Sequence, residues 1–370
     1  MASLDAPTGL NRILGAVEGR GVRIAAIVAA ALVLVVGSRL LDINLIATVV
    51  DGIQLGVVYA LVAVGIALVY KATKVLNFAQ GEVGTVAAFV VFMGLTNFNR
   101  EATLESSYPF LSMVGWTLVA VVIGAVLAVV IDQAVVSRLA TAAPVTTLVA
   151  TIGVALLLAG SQVLYFDAVP RPFPRFRVGG PQGFELFGLC FSGRADGVCL
   201  GGEGVLVLAR TNITYQFLLT TVVLLLVSVV LATLFRTPVG IALLASSQEP
   251  FAARLQGVSL RAMSALAWGT AGAFGALAGV LAGGASETIF PGFMTSTVLI
   301  PAIVAAVLGG ITSIPGSVVG ALILGFVQAY ANAAVLGQGW DVPGPPQLAT
   351  FTVLLLVLLF RPRGLFGKGA

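Results

Sequence analysis

Apolar stretches long enough to cross a bilayer recur from about residue 24 to residue 360, separated mostly by short polar interruptions. A hydrocarbon core about 30 Å thick needs roughly 20 apolar residues per helix. The pattern predicts helices at approximately 22–41, 46–70, 76–95, 112–136, 145–166, 214–235, 260–284, 295–311, 315–336 and 347–360. Backbone amides in lipid have to be satisfied within the protein, which admits helices or closed barrels. The alternating ten-residue pattern of barrel strands does not occur along the chain. The predicted fold class is therefore an all-α polytopic membrane protein, with about ten transmembrane helices in one bundle and a single domain over residues 1–370.

Two interruptions are longer than the rest. Residues 167–213 are rich in Pro and Gly between 170 and 204, which predicts an irregular external flap with no core of its own. Residues 236–259 form a polar break in which Pro238 and Pro250 frame a short helix and Gly257 stops it. Ala253, Leu255 and Val258 are available there to seat in a groove on a partner, the alternative being a plain amphipathic connector. In the middle of such a helix Pro250 would remove a hydrogen bond and introduce a kink. The first apolar run follows Arg20 and Arg23 and continues to about Leu41 without a convincing small-residue cleavage site, so it reads as a retained helix rather than a signal peptide.

Composition agrees with this picture. The chain is 59% hydrophobic and 9% charged, against roughly 25% charged residues in soluble domains. Its formal charge of +4 sits mostly at helix ends, where it reports orientation rather than nucleic-acid binding. Ten crossings place both termini on the side that carries Lys71, Lys74, Arg138, Arg236, Arg254, Arg261 and Arg361, which the positive-inside rule makes the cytoplasm. Arg171, Arg175, Arg177, Arg194 and Arg210 of the flap run against that rule, tempered by Asp167, Glu185, Asp196 and Glu203. There is no histidine, which excludes Ser-His-Asp and Cys-His catalysis and His-based metal sites. The two cysteines, Cys190 and Cys199, lie in the flap as either a disulfide or a pair of reduced thiols.

The segment Lys74-Val75-Leu76-Asn77-Phe78-Ala79-Gln80-Gly81-Glu82-Val83-Gly84 places three polar side chains at the head of an apolar run. A carboxylate inside a bilayer costs at least about 2.5 kcal/mol, so Glu82 should face the bundle interior, a partner or water. Gly81 and Gly84 permit close helix approach or a broken helix that exposes backbone to a substrate. Ordinary first-turn chemistry, with Asn77 as the cap and Glu82 at the positive helix end, explains the same residues.

This segment resembles the Asn-Phe-Ala-His-Gly-Glu motif of the LivH-type permeases, the membrane subunits of the branched-chain (hydrophobic) amino acid ABC importers, with Gln80 where that pattern often has histidine. Gln80 keeps hydrogen bonding and loses titration. The upstream Gly52-Ile53-Gln54-Leu55-Gly56-Val57-Val58-Tyr59-Ala60-Leu61 resembles the preceding helix of that family. Phe235 to Gly240 and Gln248-Glu249-Pro250-Phe251-Ala252-Ala253-Arg254-Leu255-Gln256-Gly257-Val258 resemble its cytoplasmic coupling loop, and 274–320 its carboxy-terminal half. The resemblance covers roughly residues 45–335, leaving out the first helix and most of the flap. Gly275, Gly279 and Gly283 recur every four residues, as do Gly316 and Gly320, which suits close helix packing.

What the resemblance implies is a conduit with no bond chemistry of its own. No Gly-x-x-x-x-Gly-Lys-Ser/Thr phosphate loop occurs in the chain, so ATP would bind two separate ATPase subunits and no cofactor would bind here. The further implied partners are a second permease, a paralogue by family resemblance, and an extracytoplasmic binding protein that delivers a small amino acid. The translocation path would involve Asn77, Gln80, Gly81, Glu82, Gly309 and Gly310, and the ATPase contact Gln248, Glu249, Ala253, Arg254, Leu255 and Gly257. Related permeases for urea, amides or aromatic acids, and an ATP-independent secondary transporter or channel using Asp51, Asp132 and Glu82, are the alternatives.

Overall fold

The computed structural model describes residues 38–39, 41, 43–99, 110–139, 142–174, 185–186, 189–190, 194–195, 198–199, 204–208, 211–339, 342–361 and 364–366. The helix expected at 22–41 lies outside them apart from its last residues. The other nine expected helices are present: α1 (Leu45–Thr73), α2 (Ala79–Leu95), α3 (Phe110–Ile131), α4 (Pro144–Phe166), α5 (Tyr215–Leu234), α8 (Leu260–Ser286), α9 (Ile300–Gly309), α10 (Ile314–Gly337) and α11 (Pro345–Phe360). Two short helices, α6 (Pro238–Gln248) and α7 (Pro250–Leu255), occupy the break between α5 and α8. Among the described residues, six helical spans are long and apolar enough to cross a membrane, while α2, α11 and the helical stretch Thr295–Gly309 are shorter.

The boundaries follow local chemistry. Asn44 caps α1 by accepting from the Ile46 and Ala47 amides at 3.2 and 3.3 Å. Ser259 and Ser313 cap α8 and α10 in the same way. Two predicted helices contain π-helical turns, Asp132–Val136 after α3 and Thr295–Leu299 before α9. The first surrounds a buried carboxylate: Asp132 accepts from Gln133, from Ser137, and from Ser264 of α8 at 2.8 Å.

α1 is central, buried along most of its length, and packs chiefly against α10 and next against α8. Large apolar side chains of α3, α4, α5 and α11 are exposed, as lipid-facing surfaces should be. Between central helices the contacts run through glycine. A Cβ on Gly279 of α8 would fall on the Gly84 carbonyl of α2, one on Gly325 of α10 on the backbone of Gly56, and one on Gly309 of α9 on the Gly316 carbonyl.

The flap departs from its expectation as an irregular loop. Arg171–Pro172 (β1) pairs antiparallel with Thr288–Ile289 (β8) just after α8, and the Phe173 amide donates to the Glu287 carbonyl at 2.8 Å. Three hairpins follow: Glu185–Leu186 (β2) with Leu189–Cys190 (β3), Arg194–Ala195 (β4) with Val198–Cys199 (β5), and Gly204–Leu208 (β6) with Thr211–Thr214 (β7). Its Pro and Gly content predicted an irregular segment with no core, but backbone pairing needs no core. The Cys190 and Cys199 side chains lie outside the described residues.

Candidate functional site

α2 begins inside the bundle. After α1 is capped by Lys74 in a left-handed conformation (φ 59°), the chain runs without regular structure to Asn77 and turns into helix only at Ala79. Thr151, in the second turn of α4, donates to the Leu76 carbonyl and accepts from the Phe78 amide. The helix expected from residue 76 thus starts three residues late, and Asn77 accepts from the Ala79 amide at 3.0 Å just ahead of it.

Every polar residue of the motif is packed among helices. The Gln80 amide nitrogen donates to the Val62 carbonyl of α1 and the Ala271 carbonyl of α8, at 3.4 and 3.3 Å. Glu82 is 1% exposed and accepts from Gln162 of α4 at 2.9 Å. Gly81 packs on Thr295, and Thr85 accepts from the Met294 amide at 3.1 Å. Residues of α1, α4, α8 and 292–295 therefore close around the head of α2. Gln162 was not foreseen; its only signal is an amide within an apolar run.

Two of the cavities among the described residues lie at the ends of the central helices, away from the motif. One, of about 590 Å³, is lined by Asp51, Gln54 and Tyr59 of α1, Gln216 of α5, the end of α8, and Gln328 and Asn332 of α10. The other, of about 790 Å³, lies at the opposite ends of α1, α5 and α10, between Lys71, Phe235, Gln248 and Pro315. Asn77, Gln80, Gly81, Glu82, Gly309 and Gly310 line neither cavity. Gly309 and Gly310 instead form a helix end against Gly316 and the carboxy-terminal tail. The Leu365 and Phe366 amides donate to the Leu308 and Gly309 carbonyls at 2.7 and 3.1 Å, which sets Phe366 in the wall of the larger cavity.

That tail turns on Gly364, at φ 77°, where a Cβ would lie 2.5 Å from the Gly310 nitrogen. Both the left-handed backbone and the contact disfavour a side chain there. Gly364→Val should release the tail, seen as roughly tenfold faster tryptic cleavage after Arg363 or Lys368; an unchanged rate would contradict the docking.

The break at 236–259 contains two helices in place of the single one expected, each opening on a proline. Pro250 stands in the first turn of α7, where its missing amide costs nothing, so the expected kink is replaced by a helix boundary at extended Glu249. Gly257 follows α7 with φ 80°. Arg254, Gln248, Glu249 and Leu255 are exposed, but Ala253 is only 4% exposed and packs inward, which removes it from the contact surface expected for it. Phe251, one turn before Leu255, faces outward with it: each is 74% exposed.

A family model described as the branched-chain amino acid transport system / permease component matches residues 48–360. The chain belongs to this family. The match runs from α1 to α11 and so continues beyond residue 335, where the resemblance by motifs alone stopped. The chain is similar to the high-affinity branched-chain amino acid transport system permease protein BraD of Pseudomonas aeruginosa, at 29% identity over 86% of this chain and 94% of the relative. It is similar to LivH of Escherichia coli K12 at 30% identity over the same shares. A probable LivH permease of Methanocaldococcus jannaschii is 28% identical over 83% of this chain and 88% of its own. This permease is accordingly a multi-pass membrane subunit of an ABC transport complex and no enzyme; ATP is bound by the ATPase partners.

Proposed function

We propose that this permease supplies half of the translocation path of an ATP-driven importer for branched-chain or other small amino acids. The observation that carries the reading is the pair of separate cavities at opposite ends of α1, α5 and α10, an arrangement suited to alternating access. A second permease, a paralogue, completes the path; two ATPase subunits dock at residues 248–257; an extracytoplasmic binding protein delivers the solute to the smaller cavity. Both termini are cytoplasmic in this arrangement, with the flap outside.

Asn77, Gln80, Gly81 and Glu82 act beside the path, as the polar clamp that holds the head of α2 against α1 and α8 and re-forms as the path opens. Gly309 and Gly310 act as the hinge between α9 and α10. Asp132 is saturated by three side-chain donors, which counts against an ion-coupled carboxylate relay.

Purification in mild detergent should recover the ATPases and a second permease, and the reconstituted complex should accumulate L-leucine only with ATP. Uptake without ATP by the chain alone would overturn the reading. Glu82→Ala leaves the Gln162 amide buried without its acceptor, a cost of about 1–3 kcal/mol. Uptake should fall at least tenfold while the complex still co-purifies; wild-type uptake would remove Glu82 from the mechanism.

A further inference from the structure

The smaller cavity carries a single charge. Asp51, in the second turn of α1, is exposed into it and has no hydrogen-bond or ion-pair partner among the described residues. A carboxylate within a membrane-spanning helix costs at least about 2.5 kcal/mol unless water or a counter-charge meets it, and no Lys or Arg lines this cavity. Gln54 and Asn332 also have side chains without partners among the described residues, so their amides are free to meet a ligand.

The other polar groups are committed to structure. Tyr59 donates to Gln328 at 2.6 Å, and Gln328 donates in turn to Thr350 of α11. This chain ties three helices together and leaves the Tyr59 hydroxyl no proton to offer. Leu55, Val58, Val298 and Leu336 complete the lining with aliphatic surface. The cavity thus presents one anionic point, two free amides and an apolar wall in about 590 Å³.

We propose that this cavity is an entry site for a small solute that carries a primary ammonium and an aliphatic side chain, with Asp51 as the counter-charge. The free amides of Gln54 and Asn332 receive the solute's carboxylate, and the aliphatic wall receives its side chain. A neutral amide or urea gains nothing from Asp51, and an acid without an ammonium is repelled by it. The inference rests on the proposed function for the identity of this side as the outer one, and it selects amino acids over the alternative substrates.

The test uses the complete transporter in liposomes, with Ala333→Cys placing a thiol in the cavity wall. Its reaction with a cationic and an anionic methanethiosulfonate reagent is measured against the parent chain, which corrects for Cys190 and Cys199. The cationic reagent should react at least about tenfold faster, since a nearby charge focuses cations in a low-dielectric cleft. Asp51→Asn should bring the two rates together and Asp51→Glu should restore the difference. L-Leucine should slow labelling and acetamide should not.

Equal rates with Asp51 present, or a difference that survives Asp51→Asn, would overturn the proposal, as would protection by acetamide equal to that by leucine. A transporter that moves leucine with ATP yet labels without charge preference sinks this inference and leaves the importer standing. Charge-selective, leucine-protected labelling in a complex that moves no leucine does the reverse.

Discussion

Replacing Phe251 and Leu255 together by Asp will strip the ATPase subunits from the permease while the helical bundle stays intact. The two side chains stand four positions apart on α7 and share one face of it. They are 74% exposed, beside the charged Glu249 and Arg254 at the polar end of the bundle. Most other exposed apolar side chains sit on the apolar helices of the bundle, where lipid covers them; here the neighbours are polar, and a docking protein is the natural cover. Ala253, buried on the inner face, anchors the helix and is untouched by the double change.

Full burial of a Phe or Leu side chain contributes about 1.5–3 kcal/mol. Losing both, before any cost of burying the new carboxylates, should weaken ATPase association at least about a hundredfold. Co-purification and a binding titration with the isolated ATPase read this directly, and unchanged association would mean that α7 is not the docking element. Arg254→Glu alone should give a smaller effect, because an exposed ion pair contributes only about 0–1 kcal/mol.

Gly279→Ala should be among the most damaging single methyls in the bundle. α2 and α8 approach so closely that a Cβ on Gly279 would coincide with the Gly84 carbonyl, a backbone atom that cannot rotate away. Parting the helices costs about 3 kcal/mol by the measure of overpacked cores. It also draws α8 away from the Gln80 bond to Ala271 and α2 away from the Glu82 contact with Gln162. Gly153→Ala and Gly160→Ala are the controls: nothing lies within 4 Å of a Cβ at either position on α4, and Ala is the better helix former by about 1 kcal/mol. Thermal unfolding in detergent should place Gly279→Ala roughly 5 °C or more below the parent and both controls at or above it. A Gly279→Ala protein as stable as the parent would mean that the two helices are not packed through glycine.

The sequence by itself determined where the helices run, because lipid offers the backbone no hydrogen bonds and each span therefore appears as an uninterrupted apolar run. Breakers such as Pro238 and Gly257 placed ends and loops for similarly local reasons. The motif at Asn77–Glu82 was legible as polar residues needing partners, and the glycines at 275, 279 and 283 as a packing face. What those residues meet was not. In a bilayer every helix is apolar all round, so burial leaves no polar stripe by which to tell a core face from a lipid face.

Only the tertiary structure decided that α1 is central, that α2 begins within the bundle, and that Gln162 reaches Glu82 across 80 positions of sequence. It alone turned Ala253 inward and Phe251 outward, since a six-residue helix shows its faces only once it is laid against its neighbours. The cavities likewise belong to no single segment. They are what the close glycine contacts leave open between α1, α5 and α10, a result of shape matching among helices whose hydropathy is nearly uniform.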